Sequence, residues 1–162
     1  MNRIDAALFL LRIVFGVFLA CHGLNKSRGI AGTAGWFGSI GMKWPRAQAI
    51  TASASEIIAG VLLAVGLLTP LACAIVVSLM VVAIVTVHWR VGFFIFLPNG
   101  GWEYCASIAV LAASVAVGGP GRVSLDHALG WENGATTGVA AVAVGVAAAV
   151  VHLSLSYRRK EA

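Results

Sequence analysis

Apolar residues run in long blocks along this chain, broken by short polar or glycine-rich links. The blocks cover about residues 4–22, 46–68, 71–89, 102–117 and 135–156. A bilayer-spanning helix needs about 20 mostly apolar residues. Each block therefore reads as a spanning helix, the fourth being short. Pro70, after Thr69, suits a tight turn between two antiparallel helices. The run Gly118-Gly119-Pro120-Gly121 stops the fourth helix. In the last block Ala141, Gly145 and Ala149 form a stripe of small residues suited to close helix packing.

The first block has features of a signal peptide, including Phe18-Leu19-Ala20-Cys21. Arg12 interrupts its apolar run and Asp5 spoils its basic start, so a retained first helix is expected. A glycine-rich link, residues 23–45, carries Lys26, Arg28, Trp36, Lys43 and Trp44, the mixture expected at a membrane interface. Within it, residues 31–40 are too few to span and predict an interfacial or re-entrant helix. The polar link 122–133 predicts a short surface helix capped by Ser124.

Composition agrees with this pattern. Of 162 residues, 60% are hydrophobic and only 10% charged, against about 25% charged in soluble domains. A water-soluble core this small has no room for so much apolar surface. The formal charge of +5 does not point to nucleic acid, because the basic residues are dispersed or sit at helix ends. The expected fold is an all-α membrane protein. An antiparallel four-helix transmembrane bundle occupies residues 1–129, and residues 130–162 add a fifth transmembrane helix with a basic tail.

Five crossings place the first link, the third link and the C-terminus on one face, side A. Side A then carries Lys26, Arg28, Lys43, Arg46, Arg90, Arg158, Arg159 and Lys160, and side B only Arg3 and Arg122. Eight against two predicts a cytoplasmic side A, in a multi-pass protein of the inner (plasma) membrane with its N-terminus outside. If the last segment failed to cross, the ratio would fall to five against five.

This topology gathers residues that are distant in sequence. His22 ends the first helix, His88 ends the third, and Glu103 and Tyr104 open the fourth, all at side A. Lys26 follows His22 by about one turn. Trp36, Trp44, Trp89 and Trp102 lie at the same level. An interfacial belt accounts for the tryptophans. Ionisable groups beside hydrocarbon are costly and mark a site, so His22, Lys26, His88, Glu103 and Tyr104 are expected to line one pocket. Trp36, Trp89 and Trp102 are its expected walls. No HxxxH spacing supports a metal site at His22, His88 and Glu103.

Arg12 and Glu56 lie deeper, each about 15 Å below side A at 1.5 Å per residue. Matched depth and the small residues Gly16, Ala49, Ala52, Ser53, Ala59 and Gly60 predict an ion pair across the first two helices, structural or facing a ligand. Cys21, Cys73 and Cys105 show no CxxC spacing and read as buried apolar side chains.

Several stretches taken in order resemble the DoxX family of small bacterial membrane proteins. They are Leu11-Arg12, His22-Gly23-Leu24-x-Lys26, residues 31–37, Ser55-Glu56 with Gly60, residues 66–70, Thr86-Val87-His88, residues 99–104, and Gly119-Pro120-Gly121-Arg122-x-Ser124-Leu125-Asp126. The resemblance spans about residues 5–129. It implies a four-helix core and an oxidoreductase role, through a relation to the membrane part of a thiosulfate–quinone oxidoreductase. The fifth helix departs from that pattern.

Three functions fit. The first is a membrane redox subunit, itself an oxidoreductase or part of one, binding a quinone or similar lipophilic molecule non-covalently near side A. Tyr104, His22 and His88 would donate hydrogen bonds and Glu103 would relay protons. The chain has no haem or iron–sulfur motif and no GxGxxG, so any redox role needs a bound quinone or a partner protein. The second is a carrier of a small lipophilic molecule without chemistry. The third is a membrane anchor for a soluble redox enzyme, or a homo-oligomer.

Overall fold

A computed structural model describes residues 2–131 and 133–158. Seven α-helices follow one another: α1 (Arg3–Arg28), α2 (Ile30–Ser39), α3 (Pro45–Val65), α4 (Thr69–Ala83), α5 (Glu103–Gly118), α6 (Leu125–Ala128) and α7 (Ala135–Ser156). A π-helical turn, Ile84–His88, continues α4. No strand is present among the described residues. Arg159 and Lys160, expected in the basic tail, lie outside the described residues.

Four helices are long and apolar enough to cross a membrane: Arg3–Arg28, Pro45–Val65, Thr69–His88 and Ala135–Ser156. α5 has 16 residues, about 24 Å at 1.5 Å per residue, short of a hydrocarbon core of about 30 Å. The first helix runs beyond His22 to Arg28, because Gly23 is helical and packs against α3 rather than breaking the chain. α2 occupies the place expected of the short interfacial helix, and the Ser124 hydroxyl caps α6 by accepting from His127 N–H.

The ends of the bundle are tied by specific bonds. At one end Lys43 N–H donates to Ser156 C=O at 2.7 Å and Arg158 N–H to Gly41 C=O at 2.9 Å. The end of α7 therefore meets the α2–α3 link, and α7 runs the full height of the bundle. At the other end Asp126 accepts from Leu68 N–H at 2.7 Å and Thr69 N–H at 2.9 Å, capping α4. Asp5 there accepts from Arg122 N–H at 3.0 Å.

Small residues set the packing. α1 and α3 cross closely: a Cβ added to Gly16 would lie 2.6 Å from Gly60 C=O, and one on Gly60 2.6 Å from Ala20 N. α7 packs on α4 and α5, with Gly145 against Ala74 and Gly138 against Ala116. Buried Leu63, Val76, Met80, Ala112 and Val115 fill the space between α3, α4 and α5.

Candidate functional site

The expected Arg12–Glu56 pair does not form. Each Cα–Cβ bond tilts toward its helix's N-terminus. α1 and α3 are antiparallel, so the two side chains leave their shared depth in opposite directions. Arg12 reaches the far end, where its Nη2 donates to Val123 C=O. It is 0% exposed there, with Asp126 acting on it electrostatically. Gly66, at φ +66°, ends α3 beside the guanidinium, and a side chain there would collide with it. Glu56 points the other way and takes Lys26, which bends back from the following turns of α1.

Lys26 and Glu56 stand between two cavities. The smaller, about 280 Å³, is lined by His22, Lys26, Trp36, Glu56, His88 and Tyr104, over a wall that includes Phe15, Phe18, Leu19, Ile108 and Leu111. Four of the five residues expected in one pocket meet here, with Trp36. Glu103 does not line it. Its carboxylate accepts from Ile95 N–H at 3.1 Å and holds the loop before α5, so the carboxylate of this cavity is Glu56. Trp89 and Trp102 also lie outside it, stacked on each other with ring centroids 6.0 Å apart. Phe93 packs edge-on to Trp102 at 4.7 Å. The larger cavity, about 420 Å³, opens between α2, α3, α4 and α7 and shares Lys26, Trp36 and Glu56.

His88 is the best-oriented group. Its Nδ1 lies 2.8 Å from Gly100 C=O. A carbonyl only accepts, so Nδ1 holds a proton and Nε2 is the nitrogen free to exchange one. The π turn that ends in His88 is a local distortion of a kind frequent at functional sites. Periodicity does not reveal it, because a π turn inserts one residue without changing the apolar composition. Of the cysteines, Cys105 lines the smaller cavity, Cys73 is buried and Cys21 exposed; all three are free thiols. Among the described residues no three His, Cys, Asp or Glu side chains converge as metal ligands would.

The arrangement offers an apolar slot with a phenol, an ammonium and two imidazoles on its polar edge. The family model described as DoxX matches residues 7–89. The chain is also 32% identical over 127 residues to the Bacillus subtilis (strain 168) protein named "Putative oxidoreductase CatD". That match covers 78% of this chain and 90% of that protein. No solved structure matches.

Proposed function

The chain belongs to the DoxX family of membrane proteins, and from that premise we propose that it is a membrane redox subunit binding a quinone headgroup in the smaller cavity. The observation that carries this reading is the convergence of Lys26, His22, Tyr104 and His88 on one apolar slot. A quinone needs flat apolar walls, donors for its carbonyls and a proton path. Phe15, Phe18, Ile108 and Leu111 supply walls. Tyr104 O–H and the Lys26 ammonium supply donors. His88, oriented by Gly100, exchanges the proton through Nε2. About 280 Å³ is room for a headgroup rather than a whole isoprenoid quinone, since drug-sized pockets run from about 300 to 1,000 Å³. A soluble reductase docked on the basic links of side A would supply the two electrons, and two protons complete the quinol.

The test is titration of the purified protein with decylubiquinone, followed by quenching of tryptophan fluorescence. His88→Ala and Tyr104→Phe should each weaken binding about tenfold, the loss of roughly one hydrogen bond. Glu103→Gln should leave it unchanged, because that carboxylate is engaged with the loop. Unchanged binding in both of the first two variants would overturn the reading. Binding without any reduction by a co-purified partner would instead favour a carrier.

A further inference from the structure

We propose that the smaller cavity opens sideways into the bilayer through a mouth between α1 and α5, and takes a long-chain lipophile whose head lies inside while its tail stays among the acyl chains. This rests on reading that cavity as a ligand site and adds the route of entry.

The register of two antiparallel helices places the mouth. α1 and α5 meet at the end away from side A, where a Cβ added to Gly118 would lie 3.5 Å from Leu8 Cδ2. From that contact Phe18 is ten residues on along α1 and Ile108 ten residues back along α5, about 15 Å in each case. His22 and Tyr104 are each fourteen residues from it, about 21 Å. Phe18 therefore stands level with Ile108, and His22 with Tyr104. All four line the cavity instead of closing on one another. Two helices that touch at Leu8 thus stand apart where the cavity begins.

The gap is open from outside. Phe18 is 54% and Tyr104 45% exposed, although both line the cavity. α7 packs against α4 and α5, and α2 chiefly against α3, so neither stands over the α1–α5 seam. Phe18 precedes Arg28, the basic end of α1, by ten residues. That is about 15 Å, acyl-chain depth in a hydrocarbon core of about 30 Å. Phe15 packs edge-on to Phe18 with ring centroids 6.2 Å apart and makes the lower rim aromatic. The rim is thus apolar at Phe18 and Ile108 and polar one turn nearer side A, at His22 and Tyr104. A lipid-borne molecule has the same gradient. Size points the same way: about 280 Å³ holds a head but no long tail, so the tail of any long-chain ligand lies outside, and outside the seam is lipid.

Cys105 is a native reporter, because it lines the cavity and is only 5% exposed. Cys21→Ala removes the exposed thiol and Cys73 is fully buried, so monobromobimane at alkaline pH should tag Cys105. The tagged chain is reconstituted in phosphatidylcholine with or without bromine at mid-acyl chain, and iodide is added to the water. Bromolipid should quench the bimane strongly and iodide weakly. Failure of Cys105 to label, no quenching by bromolipid, or stronger quenching by iodide would each overturn the proposal; the last would mean a mouth facing water. A second measurement needs no variant. In nanodiscs the native chain should bind decylubiquinone at least as tightly as the tailless dimethoxymethylbenzoquinone headgroup, and weaker binding of the tailed molecule would also overturn the proposal. The two readings fail separately. Bromolipid quenching in a chain that binds neither quinone removes the quinone reading and keeps the lateral mouth, whereas quinone binding without bromolipid quenching does the reverse.

Discussion

The Lys26 ammonium on α1 meets Oε1 of Glu56 on α3, and this ion pair forms the shared wall of both cavities. The Glu56 side chain is 7% exposed and that of Lys26 27%, so the pair is anchored in the bundle at its acidic end and reaches toward the interface at its basic end.

Removing one partner strands the other. Lys26→Met should lower stability by about 2 to 3 kcal/mol, below the roughly 3–5 kcal/mol of a fully buried pair because the Lys26 end is partly solvated. Adding Glu56→Leu to Lys26→Met should recover much of that loss. Unfolding in sodium dodecyl sulfate, followed by circular dichroism, measures both. A double variant as unstable as the sum of its singles would show that the two residues are not coupled.

The α1–α3 crossing should tolerate no side chain at its glycines. Gly60→Ala places a methyl group 2.6 Å from both Ala20 N and Gly16 C=O, backbone atoms that cannot swing away. A loss of at least about 1–3 kcal/mol is expected from overpacking. Gly32→Ala on α2 meets nothing within 4 Å and should be neutral or stabilising by up to about 1 kcal/mol, since alanine is the better helix former. Thermal aggregation temperatures in detergent would rank the two, and the reverse order would refute the close crossing.

Asp126 should matter chiefly through Arg12 and the start of α4. Asp126→Ala removes both acceptors that cap Leu68 and Thr69 N–H, worth about 1–2 kcal/mol as a helix cap. It also leaves the fully buried Arg12 without its nearby negative charge. The total should therefore exceed the cap alone. Arg12→Met in the Asp126→Ala background should restore part of it. Stability of the single and double variants by chemical denaturation is the measure, and a loss no larger than the cap would dismiss the electrostatic part.

A cytoplasmic C-terminus and an external N-terminus are expected from the eight-to-two distribution of basic residues. The bonds between Gly41–Lys43 and Ser156–Arg158 put the end of α7 level with the basic α2–α3 link. Fusions of green fluorescent protein and alkaline phosphatase to each terminus should report opposite compartments. Two ends reporting the same compartment would mean that the bundle inserts with one helix, α5 first among them, not crossing.

The element pattern was largely readable along the chain. The apolar blocks, the short helix at residues 31–40, the Ser124 cap and the small-residue contacts of Gly16, Gly60 and Gly145 follow from local composition and helical spacing, and all appear in the fold. The shared level of His22, Lys26, His88 and Tyr104 was readable too, because topology alone puts those helix ends at one height. Glu103 has the same height but a different fate: as the first residue of α5 its carboxylate is captured by the N–H of Ile95 in the preceding loop.

The sequence by itself determined where the apolar helices lie and at what depth each ionisable residue sits, since these depend on periodicity, length and a fixed rise per residue. It did not fix every boundary or crossing: the block at 102–117 reads as a span but forms a 16-residue α5, and α1 runs past His22 to Arg28. Only the tertiary structure decided who pairs with whom. Depth matched Arg12 to Glu56, but side chains lean toward their own helix's N-terminus. In an antiparallel pair that lean separates residues at one level and joins those offset along the axis. Arg12 accordingly went to Val123 and the neighbourhood of Asp126, and Glu56 to Lys26.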